Sequence, residues 1–272
     1  MPELPEVETT LRGIKPFVLH QKICSVVVRH YGLRWPIPHD LQAMLTGQTI
    51  QSATRRGKYL LFMTAHGTLI IHLGMSGSMR VLTTATPPNK HDHVDLVFAN
   101  HVCLRYTDPR RFGAFLWTTE NPNSHPLLAH LGPEPLEKIL TGKYLWEQAQ
   151  QRKVPIKSFI MDSKIVVGVG NIYANEALFV AGIHPKKSAG KISLIQFNAL
   201  AKAIKKILQA AIKQGGTTLK DFVGSNGKKG YFKVHLQAYG RGNLPCLVCQ
   251  NPLKEIRLGQ RSTVYCSRCQ KS

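Results

Sequence analysis

The sequence predicts an α+β chain in three parts: an N-terminal β-sandwich, a helical middle, and a C-terminal hairpin that carries four cysteines. Three observations support this. Short β-branched and aromatic runs dominate the chain as far as Thr118. After Gly132-Pro133-Glu134-Pro135 the apolar period changes from that of strands to that of helices. Two Cys-x-x-Cys pairs then close the chain. The expected boundaries are 1–131, 132–233 and 234–272.

Taken in order, Val7, Leu11 and Ile14 sit at helical spacing behind Pro5, a residue suited to a first helical turn, so a short helix opens the chain. Strands are expected at Ile23–Val28, Tyr59–Met63, Thr68–Leu73, Val94–Phe98, Val102–Tyr106 and Ala114–Thr118. Turn signals at Arg56-Gly57, His66-Gly67 and Ala99-Asn100 separate them, as in a sandwich or flattened barrel. Beyond residue 132, 141–152 is polar and helix-compatible. Ile156–Met161 and Ile172–Val180 read as two helices joined by the turn Ser163–Gly170. A longer amphipathic helix sets Leu194, Phe197, Leu200, Ile204, Ile207, Leu208 and Ala211 on one face, and Gly215-Gly216 stops it. The glycine- and lysine-rich 217–230 reads as a mobile loop.

Charge narrows the partner. The 272 residues carry a net +21, and residues 186–272 account for +15 of it. A back half this basic points to a polyanion, for which nucleic acid is the commonest candidate. The first thirty residues lack the apolar core of a secretory signal, and no apolar run approaches the ~20 residues of a membrane helix. Four cysteines in C-x-x-C pairs and two isolated ones fit a reducing compartment with one metal site, and a cytoplasmic location is expected. Cys24 and Cys103, in apolar surroundings, are expected to be small core residues. Nothing demands a dimer, so a monomer is expected.

Cys246 and Cys249, sixteen intervening residues, then Cys266 and Cys269 match the spacing of a four-cysteine zinc site. Each pair lets two thiolates converge from a tight turn, and two pairs complete a tetrahedron. With every position filled by sulfur no site is left for water, so one structural zinc ion is expected. Arg257, Arg261 and Thr263 lie between the pairs, on an expected hairpin. A rigid hairpin presenting arginine suits contact with a nucleic-acid backbone.

The N-terminus carries more chemistry than a terminus usually does. An acidic first turn that offsets the helix dipole accounts for Glu6 and Glu8, but not for Pro2 or Glu3. The run Met1-Pro2-Glu3-Leu4-Pro5-Glu6-Val7-Glu8-Thr9 closely resembles the start of the formamidopyrimidine-DNA glycosylase family. The resemblance continues in Arg55-Arg56-Gly57-Lys58-Tyr59, His72-Leu73-Gly74-Met75-Ser76-Gly77, Lys90-His91-Asp92-His93 and Asp108-Pro109-Arg110-Arg111-Phe112-Gly113. It ends in Gly168-Val169-Gly170-Asn171-Ile172-Tyr173 and the terminal cysteines, so it covers the whole chain in order. Leu4, where the related endonuclease VIII branch has glycine, favours the purine-repair branch.

The resemblance implies a base-excision enzyme for oxidised purines, acting on damaged double-stranded DNA with a helix–two-turn–helix element in its middle part. It implies that Met1 is removed and that the amine of Pro2 attacks the sugar C1′ to form a Schiff base. An α-amino group ionises near 7.7–8.0, so a useful neutral fraction exists at physiological pH, about which an unperturbed lysine near 10.4 offers little. Glu3 is implied as the acid that protonates the sugar ring oxygen or the departing group, and Glu6 as support for the amine. Lys58 would hold a phosphate and assist β-elimination, and Arg261 would grip the flanking phosphates and serve δ-elimination. Met75, Arg110 and Phe112 would fill the gap left by an extruded nucleotide, with Arg110 donating to the orphaned base. His72, His91, Arg152 and Asn171 match family positions that contact DNA, and 217–230 would hold the loop that closes over the base.

Two other readings account for part of the sequence. A pyrimidine-selective relative shares the motifs but not Leu4. A zinc-dependent DNA-binding module without activity accounts for charge, zinc and phosphate motifs, and leaves Pro2, Glu3 and Lys58 unexplained.

Overall fold

The computed structural model describes residues 1–84, 86–216 and 236–271. The chain divides into two compact units. One comprises Met1–Ala129 joined by the described residues 214–216, and the other His130–Lys213 joined by residues 236–271. The expected loop at 217–230 lies outside the described residues.

The first unit opens with helix α1 (Leu4–Val18) and contains the short helix α2 (Leu41–Leu45). Its strands are β1 (Ile23–Val28), β2 (Ser52–Arg56), β3 (Tyr59–Met63), β4 (Thr68–His72), β5 (Ser78–Thr83), β6 (Asp92–Phe98), β7 (Val102–Thr107) and β8 (Ala114–Thr118). They form two antiparallel four-stranded sheets, ordered β1-β6-β7-β5 and β2-β3-β4-β8. One apolar core takes Val26, Leu96 and Leu104 from the first sheet, Leu60, Phe62 and Phe115 from the second, and Val7, Leu11 and Ile14 from α1. The expected sandwich is therefore present, with α1 sharing its core.

Three elements were not expected, and each has a reason. β2 and β5 are sheet edges, where a polar sequence such as Ser52-Ala53-Thr54-Arg55-Arg56 protects an unpaired ladder while hiding the strand's apolar signal. α2 spans only five residues, too few for a helical period. Cys24 corrects the expectation of a core thiol. A register shift between Ile23 and Ser25 on edge strand β1 leaves it exposed, whereas Cys103 is buried as expected. Burial pushes the Cys103 thiol up to about 11, and the Asp95 carboxylate reinforces the shift.

The second unit contains helices α3 (Gly142–Ala149), α4 (Ile156–Met161), α5 (Asn171–Val180) and α6 (Leu194–Lys213), then the hairpin β9 (Lys254–Leu258) and β10 (Arg261–Tyr265). The apolar face of α6 is buried from Phe197 through Ala211, but Leu194, in its first turn, is 42% exposed. The hairpin turn Gly259-Gln260 has φ of 53° and 64°, the two left-handed residues that a tight two-residue connection between twisted strands requires.

Candidate functional site

In the first unit the predicted residues gather on α1, the β2–β3 turn and two loops. Glu3 is the N-cap of α1 and Pro5 lies in its first turn. Glu6 reaches back so that its Oε2 accepts the Glu3 backbone N–H at 2.9 Å, completing a capping box. Pro2, Glu3 and Glu6 are all buried, with Glu3 2% and Glu6 0% exposed. Two acidic side chains this deep at a chain terminus exceed what a helix cap needs. Gly216, at φ +79°, lies against Glu6, because a Cβ there would stand 3.1 Å from Glu6 Oε1.

Lys58 is half-buried in the β2–β3 turn, directly after Gly57 at φ +57°. A chain of contacts from α1 fixes this turn. Glu8 accepts from Arg12 at 2.8 Å and from Arg55 Nε at 3.1 Å, and Arg55 Nη1 donates to Gly57 O at 2.8 Å. Burial raises the Glu8 carboxyl, but the two guanidinium groups outweigh it and hold the acid below its ordinary value. His72, at the end of β4, accepts the Gly74 N–H on Nδ1 at 3.0 Å. Its pKa is lowered to about 4, first by burial and then by the nearby cations Lys58 and Arg34. A neutral imidazole among cations, with Nδ1 occupied as acceptor, keeps Nε2 as a donor. That arrangement suits an anionic ligand.

Met75 and Phe112 are exposed at 37% and 39%, on separate loops of the same unit. Arg110 lies over the Phe112 ring at 4.9 Å, so the guanidinium and the ring are presented together. His91 lines an open cavity of about 470 Å³ with Arg29, His30, Lys90 and Arg111. Arg111 donates to His30 at 2.7 Å.

In the second unit Asn171 is the first residue of α5, after Gly168 at φ +87°, and its Oδ1 is buried with no hydrogen-bond partner among the described residues. The open Oδ1 can accept from a donor group, while the backbone N–H groups of the same helix N-terminus suit an anion. Arg152 follows α3 and is exposed, with its carbonyl accepting from Gly190 and Ser188. Arg261 begins β10 and is exposed. The hairpin that carries it is clamped from two helices. Lys157 on α4, 1% exposed, donates to Ser262 O at 2.8 Å and Thr263 Oγ1 at 2.7 Å, while Asn175 on α5 accepts the Val264 N–H at 2.8 Å.

The sulfurs of Cys246, Cys249, Cys266 and Cys269 all lie within 4.8 Å of one another. Four converging soft donors and no carboxylate fit tetrahedral zinc. Around them lies only a small core of Phe179, Ala238, Leu253 and Val264.

Three family models match in order: the formamidopyrimidine-DNA glycosylase N-terminal domain over residues 1–115, its H2TH domain over 131–223, and a zinc finger found in FPG and IleRS over 243–271. The chain is 58% identical to the formamidopyrimidine-DNA glycosylase of Methylococcus capsulatus, over all of both chains. The chain belongs to the formamidopyrimidine-DNA glycosylase family. That makes it an enzyme, a DNA glycosylase and AP lyase, with one structural zinc held by the four cysteines. Another member of the family, from Marinomonas sp., is 59% identical over 99% of this chain and all of its own. Among solved structures, a Lactococcus lactis mutant bound to Fapy-dG-containing DNA superposes with a TM-score of 0.92 at 34% identity over both full chains. The Thermus thermophilus protein gives 0.89 at 35% identity over 99% of this chain and 98% of its own.

Sequence reasoning missed the buried polar residues that hold the β9–β10 hairpin and the segment entering the cysteine cluster. Lys157, Asn175 and Glu176 were legible only as polar interruptions in otherwise apolar helices. The described residues contain no helix long and apolar enough to cross a membrane.

Proposed function

We propose that this glycosylase excises oxidised purines, 8-oxoguanine and formamidopyrimidines, from duplex DNA through an iminium (a charged Schiff base) on Pro2, and then cuts the strand by β,δ-elimination. The reading is carried by the burial of Glu3 and Glu6 immediately behind Pro2. Removal of Met1 frees the proline nitrogen, which attacks C1′ as the bond to the base breaks. Glu3 delivers a proton to the ring oxygen or the departing base; the nitrogen, having lost its proton, shares its lone pair with C1′ as the C1′–O4′ bond breaks, and the opened sugar is held as the iminium. Glu6, bonded to the Glu3 backbone, keeps the residue next to the amine fixed. Loss of a C2′ proton then expels the 3′ phosphate, assisted by Lys58, and a second elimination served by Arg261 expels the 5′ phosphate.

Met75, Arg110 and Phe112 fill the vacated stack, and His72, His91, Arg152 and Asn171 hold the DNA backbone. The relatives support the substrate class: the Lactococcus lactis structure contains Fapy-dG, and another solved relative, MutM, contains carbocyclic 8-oxo-G DNA. We further propose that the enzyme works as a monomer, with functional regions 1–131, 132–233 and 234–272.

Borohydride trapping on an 8-oxoguanine duplex, followed by mass spectrometry, tests the mechanism. The expected product is one adduct on Pro2 of a chain lacking Met1. A trapped lysine, or no adduct with active enzyme, contradicts the proposal. Stronger cleavage of thymine glycol than of 8-oxoguanine would favour the pyrimidine-selective reading.

A further inference from the structure

Asp108, directly after β7, has no role in the chemistry above, yet it is 0% exposed and both of its carboxylate oxygens are engaged by groups from other segments. Its Oδ1 accepts from Ser76 Oγ at 2.9 Å and from the Arg110 N–H at 3.2 Å. Its Oδ2 accepts from Tyr106 OH at 3.0 Å and from the Gly113 N–H at 2.9 Å. Its carbonyl accepts the Arg111 N–H and the His93 Nε2 proton. One carboxylate thus binds the loop that presents Met75, through Ser76, and both ends of the loop that presents Arg110 and Phe112.

The two loops also touch through backbone. Gly74, at φ +65°, lies so close that a Cβ would stand 2.6 Å from Phe112 C and Gly113 N. A Cβ on Gly113 would in turn stand 1.7 Å from Tyr106 OH. Neither loop can shift alone without breaking a charge-assisted bond or forcing atoms into contact.

We infer that Asp108 is a positioning residue that joins the Met75 loop to the Arg110–Phe112 loop, through Ser76, so that the three side chains enter DNA as one rigid body. The inference rests on the proposed gap-filling role of those side chains. Ser76 is where it becomes testable, because its hydroxyl is the side-chain link between the loops while its own side chain, 5% exposed, lies away from solvent. A rigid body makes its members interdependent: the three side chains enter the stack together or not at all, so once one is lost the others gain less from entering and their effects do not multiply.

The experiment is a double-mutant cycle on full-length enzyme. The excision rate of 8-oxoguanine opposite cytosine and opposite adenine is measured for Met75→Ala, Arg110→Ala and the pair, first alone and then with Ser76→Ala. In the parent background the pair should depart from the product of its single effects by about ten-fold, and with Ser76→Ala that departure should fall to within about two-fold. Cytosine preference should also fall in Ser76→Ala, although Arg110 is intact. Equal departures in both backgrounds would overturn the inference, since a merely destabilising Ser76→Ala lowers all rates and leaves the coupling unchanged. Asp108→Asn, checked for folding by circular dichroism, should reproduce the loss of coupling. If Met75→Ala, Arg110→Ala and Phe112→Ala all leave excision and 2-aminopurine fluorescence beside the lesion unaltered, it is the gap-filling role that fails.

Discussion

Replacing Glu176 by glutamine tests how the segment entering the zinc module is held. Glu176 is 1% exposed on α5, and its two oxygens accept three consecutive backbone N–H groups. Oε2 takes Gln237 at 2.8 Å, and Oε1 takes Ala238 at 2.9 Å and Tyr239 at 2.8 Å. Glutamine keeps the shape and one acceptor, but turns an NH₂ toward the Gln237 N–H. One charge-assisted bond, about 1.5–3 kcal/mol, is lost, and the other two weaken toward the neutral value of about 1 kcal/mol. Relief of a buried charge opposes this. Burial holds the Glu176 carboxyl above its ordinary value of 4.5 despite the three donors, so its surroundings on balance disfavour the charge.

The net cost should be about 2 kcal/mol, confined to the segment. Amide exchange should then run roughly 30-fold faster at residues 237–239, at about 1.4 kcal/mol per factor of ten, with little change in the sandwich. Protection at these amides within about two-fold of the parent protein would refute the reasoning. The pH dependence carries a definite sign. Between 4.5 and the raised value the folded chain binds a proton that the unfolded chain does not, so this group's contribution to stability grows as pH falls through that window.

Asp95 should behave oppositely. Burial raises its carboxyl, but Arg105, at 2.8 and 2.9 Å, and Arg29 outweigh it and hold the group below 3.8, so its stabilisation is present above that pH and lost as pH falls through the lowered value. Asp95→Asn takes from the buried Arg105 the nearer of its two carboxylates, leaving Asp92 at 3.5 Å, and should cost about 1.5–3 kcal/mol in urea unfolding at neutral pH; a loss under about 0.5 kcal/mol would remove the pair from this account. Chelating zinc should disorder 246–269 and weaken DNA binding, leaving the capped start of α1 intact. Undiminished affinity after complete metal removal would show that the hairpin does not contribute.

The sequence by itself determined the sandwich, the helical middle, the metal ligands and the list of chemical groups. These are local matters: strand period, helix period, Cys-x-x-Cys spacing, and a proline followed by two acids each leave a signature within a few residues. Ile23–Val28, Ile156–Met161 and Ala114–Thr118 were placed to the residue for that reason. The tertiary structure alone decided which groups hold the others. Asp108 and Ser76 are 32 residues apart, Glu176 and Ala238 are 62, and Lys157 and Thr263 are 106. A polar side chain in a buried position reads in sequence only as an interruption, because the donor or acceptor that satisfies it arrives from a distant segment when the chain packs. The same packing exposed Cys24 on a bulged edge strand, where apolar neighbours had suggested a core thiol.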